Sequence, residues 1–97
     1  MDSKTRATLR GLATKIDPVF QVGRDGVTEN VVVAVDLALT ARELVKVNVL
    51  KNCELSPKEV LEELSNKTNS TGVCSIGQKI VLYRVSNKKG IKHVLEI

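Results

Sequence analysis

The stretch Pro18-Val19-Phe20-Gln21-Val22-Gly23-Arg24-Asp25-Gly26-Val27-Thr28 constrains this chain more than any other. Val19, Phe20 and Val22 are strand-type side chains, and Pro18 is tolerated at a strand's first residue, where no ladder donor is needed. Gly23 and Gly26 then permit a tight turn and close approach of another backbone, because neither carries a Cβ. Thr28 suits the N-cap of a helix starting at Glu29. The first turn of that helix has N–H groups without intrahelical acceptors, at the positive end of its dipole. Such a place suits an anion such as a phosphate, and Arg24 adds a full charge at the tip. Plain turn chemistry accounts for two glycines equally well, so the rest of the chain has to decide.

The segments C-terminal to this loop narrow the fold. Val31, Val32, Ala34, Val35, Ala38 and Leu39 form a broad apolar arc over a helix from about Glu29 to Ala41, with Glu29, Asp36, Thr40 and Glu43 expected opposite. Residues 43–50 then alternate: Val45, Val47 and Val49 face one way, and Leu44, Lys46, Asn48 and Leu50 the other. Strand, helix and strand on this scale predict a parallel βαβ unit. Ser56-Pro57-Lys58-Glu59 is a capping box with proline at the first helical position. It opens a helix with Val60, Leu61 and Leu64 on its apolar side and Glu59, Glu62 and Glu63 in solvent. The helix is expected to fray out over the polar segment Asn66–Thr71. Two strands, Val73–Ile76 and Lys79–Val85, are joined by Gly77-Gln78, and glycine at the first of two loop positions fits a type II′ hairpin.

N-terminal to the loop, Ser3 is the expected cap of a helix over about residues 4–15, with Leu9, Leu12, Ala13 and Ile16 on one buried stripe. Asp17-Pro18 ends it, since the residue before proline is pushed out of the α region. The expected architecture is therefore α/β of the α+β type. It is a single compact domain over residues 1–97, in the order α-β-α-β-α-β-β, with three helices and a mixed four-stranded sheet. Residues 86–97 form a basic C-terminal tail that could add an edge strand or pack loosely.

Composition limits the chemistry. Phe20 and Tyr83 are the only aromatic residues, so the core has to be built from Val, Leu, Ile and Ala, and their scarcity argues against an aromatic base-stacking face. Cys53 and Cys74 form no Cys-x-x-Cys pair and His93 is the only histidine. Neither a structural zinc site nor a disulfide framework is expected, and no cofactor. With no Ser/His/Asp or Cys/His spacing, catalysis has few players and no catalytic residue is assigned. No apolar run approaches the about 20 residues of a membrane span, and the start lacks a signal peptide's hydrophobic stretch. A cytoplasmic domain is expected, with no membrane partner and no small-molecule substrate.

The charge distribution says more than the net value of +4. Residues 1–28 carry five basic and three acidic groups, residues 29–78 five and seven, and residues 79–97 five and one. If the two positive ends meet they make a basic face, the footprint of a polyanion binder; otherwise they are an unevenly charged surface. The candidate contacts are Gly23, Arg24, Asp25, Gly26 and Thr28 of the loop, Lys4, Arg6, Arg10 and Lys15 of the first helix, and Arg84, Lys88 and Lys89 near the end. At least one of the two outlying groups is expected beside the Gly23–Gly26 loop.

Four stretches, taken together, resemble a known family. They are Leu9-Arg10-Gly11-Leu12-Ala13 with Pro18-Val19, Val22-Gly23-Arg24-Asp25-Gly26-Val27-Thr28, Glu43-Leu44-Val45-Lys46-Val47, and Ile76-Gly77-Gln78-Lys79-Ile80-Val81-Leu82-Tyr83-Arg84. In order and spacing they resemble the CRM domain (chloroplast RNA splicing and ribosome maturation), most closely the bacterial single-domain YhbY-like proteins, over about residues 5–85. The resemblance implies an α/β domain similar to the C-terminal domain of bacterial translation initiation factor three. It also implies binding of structured RNA, ribosomal RNA of the large-subunit precursor, through the Gly-x-x-Gly loop and nearby cations. Asp17, Asp25 and Asn48 depart from the basic or neutral residues frequent in the family, and each thins the positive field. Two other readings stay open: a module docking a ribosomal protein through the acidic third helix and the mixed sheet face, and a non-specific DNA-binding module.

Overall fold

The computed structural model describes residues 1–91 and 93–95. Its organising strand is β2 (Leu44–Val49), where Leu44, Val45, Val47 and Val49 are buried and Lys46 and Asn48 half-buried. β1 (Phe20–Val22) runs parallel to it, pairing Phe20 with Val47 and Val22 with Val49. On the other side β4 (Lys79–Tyr83) is antiparallel to β2 and β3 (Thr71–Ile76) antiparallel to β4, giving the order β1-β2-β4-β3. The expected mixed four-stranded sheet with three helices is therefore present. The connections explain the order. Helix α2 (Glu29–Arg42) carries the chain from β1 to its parallel neighbour, and α3 (Pro57–Thr68) carries it past β4 to β3.

Both crossover helices cover one face. Val31, Val35 and Leu39 of α2 and Val60 and Leu64 of α3 pack on Val22, Val45, Val47, Val49, Ile80 and Leu82. Helix α1 (Ser3–Ala13) lies on the opposite face, where Leu9 and Ala13 meet Leu44, Val73, Val81 and Tyr83. Fully burying each such aliphatic side chain contributes roughly 1.5–3 kcal/mol, and Tyr83 is the one aromatic ring among the buried residues. The mixed face of β2 is thus covered at Leu44, while Lys46 and Asn48 stay half-buried.

Local signals set most boundaries. Ser56 accepts from the Glu59 N–H and Glu59 accepts from the Ser56 N–H, both at 3.2 Å, completing the capping box. Of the two hairpin residues only Gly77 has positive φ, +58°, as a type II′ turn requires. Four details differ from expectation. Asp2, not Ser3, caps α1, its carboxylate accepting from Thr5 N–H at 2.8 Å. That helix stops at Ala13, because Lys46 Nζ donates to the Ala13 and Ile16 carbonyls at 3.2 and 3.4 Å and the chain turns there. Helix α3 does not fray: it runs to Thr68 and is closed by Asn69 in the left-handed region, so β3 starts at Thr71. Finally β4 ends at Tyr83, where Arg84 N–H bonds the Glu43 carbonyl.

The tail is irregular over 84–88 and through its other described residues beyond the turn at Lys89-Gly90. The expectation of an edge strand over 91–97 falls partly on Lys92, Glu96 and Ile97, which lie outside the described residues.

Candidate nucleic-acid interface

Parallel pairing of β1 and β2 brings the loops at their C-terminal ends side by side. Leu50 N–H bonds the Val22 carbonyl at 2.8 Å, so the segment after β2 runs against the start of the glycine loop. In that loop Gly26 N–H closes a turn on the Gly23 carbonyl at 3.0 Å, and Arg24 and Asp25 stand exposed between them. Gly26 sits at φ +71°, whereas Gly23 is not in the left-handed region. A Cβ on Gly23 would meet Leu50 Cδ1 at 3.5 Å and Asn52 Oδ1 at 3.8 Å, which are ordinary contacts. Positive φ is therefore needed at the second glycine alone.

Thr28 caps α2 as expected, its hydroxyl accepting from Val31 N–H at 3.3 Å. The N–H groups of Glu29 and Asn30 have no acceptor within the helix and point to the loop end. Glu29 itself adds a carboxylate to this first turn, which satisfies part of the dipole and opposes an incoming anion. Cations and acids are interleaved here: Arg24, exposed Lys51 just after β2, Lys58 in the first turn of α3 and Lys79 beginning β4 belong to this end of the sheet, as do Asp25, Glu29, Glu54 and Glu59. Gln78 Nε2 donates to the Val49 carbonyl at 3.0 Å and ties the β3–β4 hairpin turn to the same end. Sequence patterning does not single out Lys51, Lys58 or Lys79, although each is placed by where a strand ends or starts once the strand pairing is known.

The cations of α1 are divided. Arg10 shares a notch of about 290 Å³ with Lys46, Lys79 and Ile76. Arg6 instead donates from Nη1 to the Gly72 and Val73 carbonyls at 2.8 and 2.7 Å, where the register of edge strand β3 slips. Lys15 faces a second groove, about 710 Å³, with Arg42 and His93. Lys4 is exposed.

The last group lies at the other end of the sheet. Tyr83 pairs with Leu44, the first residue of β2, while the glycine loop comes after Val22, which pairs with the last. Arg84 is committed to the fold: Nη1 bonds Asp36 Oδ1 at 2.7 Å and the Thr68 carbonyl at 2.6 Å, and Nη2 bonds the Asp36 carbonyl and Thr40 Oγ1 at 3.0 Å. Lys88 and Lys89 are exposed beyond it. Arg10 thus shares a notch with Lys79, which no residue of the 23–28 loop lines, and Arg84, Lys88 and Lys89 follow the strand end opposite the loop.

Glu43 is a correction to the sequence reading. It stands not on the solvent face of α2 but just past its end, at φ +65°, with no exposed surface. Burial alone would raise its carboxyl pKa. Hydrogen bonds from Ser86 N–H, His93 Nδ1 and Val94 N–H outweigh that and hold it below the ordinary carboxylate range. Burial pushes the Cys74 thiol up despite Arg10, Arg6 and Lys46 nearby, which leaves it a poor nucleophile. Among the described residues no cluster of His, Cys, Asp and Glu could hold a metal, and no helix is long and apolar enough to cross a membrane.

Three helices on a mixed four-stranded sheet, with a glycine turn leading from a strand into a capped helix, define a small α/β domain. The CRS1/YhbY (CRM) domain model matches residues 1–84, and the chain belongs to that family. It is 42% identical over 88 residues to "Probable RNA-binding protein YqeI" of Bacillus subtilis, covering 91% of this chain and 92% of the relative. It is 32% identical over 92 residues to "RNA-binding protein" of Haemophilus influenzae, covering 95% and 93%. The solution structure of SAV1595 from Staphylococcus aureus is 44% identical, covers 92% of this chain and 93% of its own, and superposes with a TM-score of 0.79.

Proposed function

We propose that this protein binds structured RNA, chiefly through phosphates, at the end of the sheet where the glycine loop leads into α2. The observation that carries the reading is the geometry of that end. Helices α2 and α3 both start from the ends of the parallel neighbours β1 and β2, and a Cβ on Gly26 would lie 3.9 Å from Leu55, just before the second start. Arg24, Lys51 and Lys58 are exposed at this end alongside Asp25, Glu29 and Glu59. A phosphate above Gly26 meets N–H donors and cations together, and glycine's missing side chain lets the backbone come close. Aliphatic residues offer bases nothing to stack on, so little base specificity is expected. The role is binding without catalysis, and its RNA-binding relatives support it. By analogy with the family, the target is ribosomal RNA of the large-subunit precursor, and the site of action is the cytoplasm.

The experiment is a salt series with a labelled ribosomal RNA hairpin, alongside competition with duplex DNA. Several phosphate contacts predict an affinity that falls by orders of magnitude between low and moderate salt. A flat salt dependence overturns the reading in favour of protein docking. For that alternative the structure offers Val33 and Leu37, one turn apart on α2 and 51% and 64% exposed.

A further inference from the structure

Glu43 is a fully buried carboxylate with no part in the loop end, and both its oxygens face the C-terminal tail. Oε2 accepts Ser86 N–H at 2.7 Å and meets His93 Nδ1 at 2.8 Å, and Oε1 accepts Val94 N–H at 2.8 Å. One side chain therefore holds the tail at Ser86 and again at His93 and Val94. Around Ser86 the hold is doubled, because its hydroxyl donates to the Thr40 carbonyl at 2.5 Å and accepts Lys88 N–H at 3.2 Å. Gly90 turns the segment at φ +85°. Lys88 and Lys89 are exposed and lie in sequence between these two anchor points.

Burying an ionised carboxylate is costly unless its oxygens are hydrogen-bonded. A tail that merely packed against the domain would not need one. Glu43 also sits at φ +65°, a conformation rare for a residue with a side chain.

We propose that Glu43 is a positioning residue that presents Lys88 and Lys89 as a second phosphate contact, at the opposite end of β2 from the glycine loop. The proposal rests on the RNA-binding reading above. Six strand residues at about 3.3 Å each separate the two ends by about 20 Å, so one RNA would be held at two places. Long-range charge and positioning predict opposite signs for one substitution. Glu43→Gln removes a negative charge from the protein, and by charge alone it strengthens RNA binding. Loss of the anchored segment weakens it.

The test measures affinity and salt slope for a labelled ribosomal RNA hairpin with the wild type, Glu43→Gln, Lys88→Ala/Lys89→Ala, and the combination. Amide exchange at Ser86 and Val94 is measured in parallel. Glu43→Gln is expected to weaken binding about tenfold and to reduce the slope of log affinity against log salt by about 2, one per lysine. It should have no further effect once Lys88 and Lys89 are gone. His93→Ala removes one partner at an exposed position and should give a smaller loss, again absent in the double-alanine background. It keeps the test alive should Glu43→Gln fail to fold. Unchanged or tighter binding by folded Glu43→Gln, with faster exchange at Ser86 and Val94, overturns the proposal, as do losses that multiply with the lysine substitutions. In either case salt-dependent binding by the wild type leaves the RNA reading standing. A wild type without salt-dependent affinity removes both.

Discussion

Arg84 and Asp36 are 48 residues apart in the chain, yet guanidinium Nη1 and carboxylate Oδ1 lie 2.7 Å apart. The pair joins the end of β4 to the middle of α2, and the same guanidinium also bonds the Thr68 carbonyl at the close of α3. An arginine that stands in sequence like an RNA contact is here a clasp between three elements.

Arg84→Ala should therefore act on stability first. Asp36 is half exposed and water can solvate it, but the Thr68 carbonyl loses a charged donor in a buried setting. A loss of about 1.5–3 kcal/mol is expected by urea unfolding. Arg84→Lys should recover little of it, since a single ammonium cannot reproduce the forked geometry. A stability within about 0.5 kcal/mol of wild type would show that the clasp is idle.

The two loop glycines should behave differently. Gly26→Ala places a Cβ at φ +71°, a strain of roughly 1–2 kcal/mol, and should also hold a phosphate off the backbone. Gly23→Ala meets only ordinary contacts with Leu50 and Asn52 and should be neutral or stabilising by up to about 1 kcal/mol. Thermal melts of both variants, with RNA titrations beside them, check this. Equal destabilisation would contradict the asymmetry.

Glu43 carries the pH prediction. Its folded carboxyl titrates below the ordinary value because Ser86, His93 and Val94 bond the charged form despite burial. An unfolded glutamate titrates near about 4.3. A depressed folded pKa gives stability that is fully present above the unfolded value and is lost as pH falls through the folded one. Unfolding free energy should thus decline below about pH 4, and Glu43→Gln should flatten that part of the profile. A profile identical in the two proteins would remove the assignment.

How far the sequence can be read depends on the range of each interaction. The Ser56–Glu59 box, the Thr28 cap and the Gly77 turn are written within four residues, and all are found as expected. Apolar alternation in Leu44–Val49 is equally local, and it orients the whole sheet. Asp2 and Ser3 are both good caps one residue apart, and only geometry separates them. Arg6, Arg84 and Glu43 escape a sequence reading for another reason. Apart from Thr68, 16 residues before Arg84, the partners of their side chains lie 43 to 67 residues away, and nothing in charge or periodicity distinguishes a solvated arginine from one that caps strand carbonyls. Lys51 follows a strand whose parallel pairing is already expected, but Lys79 enters the candidate site only through the antiparallel pairing of β4 with β2.

Charge and backbone in the glycine loop can be separated by substitution. Arg24 and Asp25 are both exposed, neighbouring and of opposite sign, so replacing either leaves the core untouched. Arg24→Ala should weaken binding of a structured RNA by roughly 1 kcal/mol, the order of one charge-assisted contact that stays partly solvated. Melting temperature should be almost unchanged, because no packed atom is lost. Asp25→Asn should strengthen binding, and most at low salt, where the repulsion it removes is least screened. The opposite signs matter, because a general disturbance of the loop would weaken binding in both variants. If both proteins melt like the wild type and bind RNA with its affinity, no phosphate lies at the tip. Gly23 to Gly26 would then be a turn that joins β1 to α2 and nothing more.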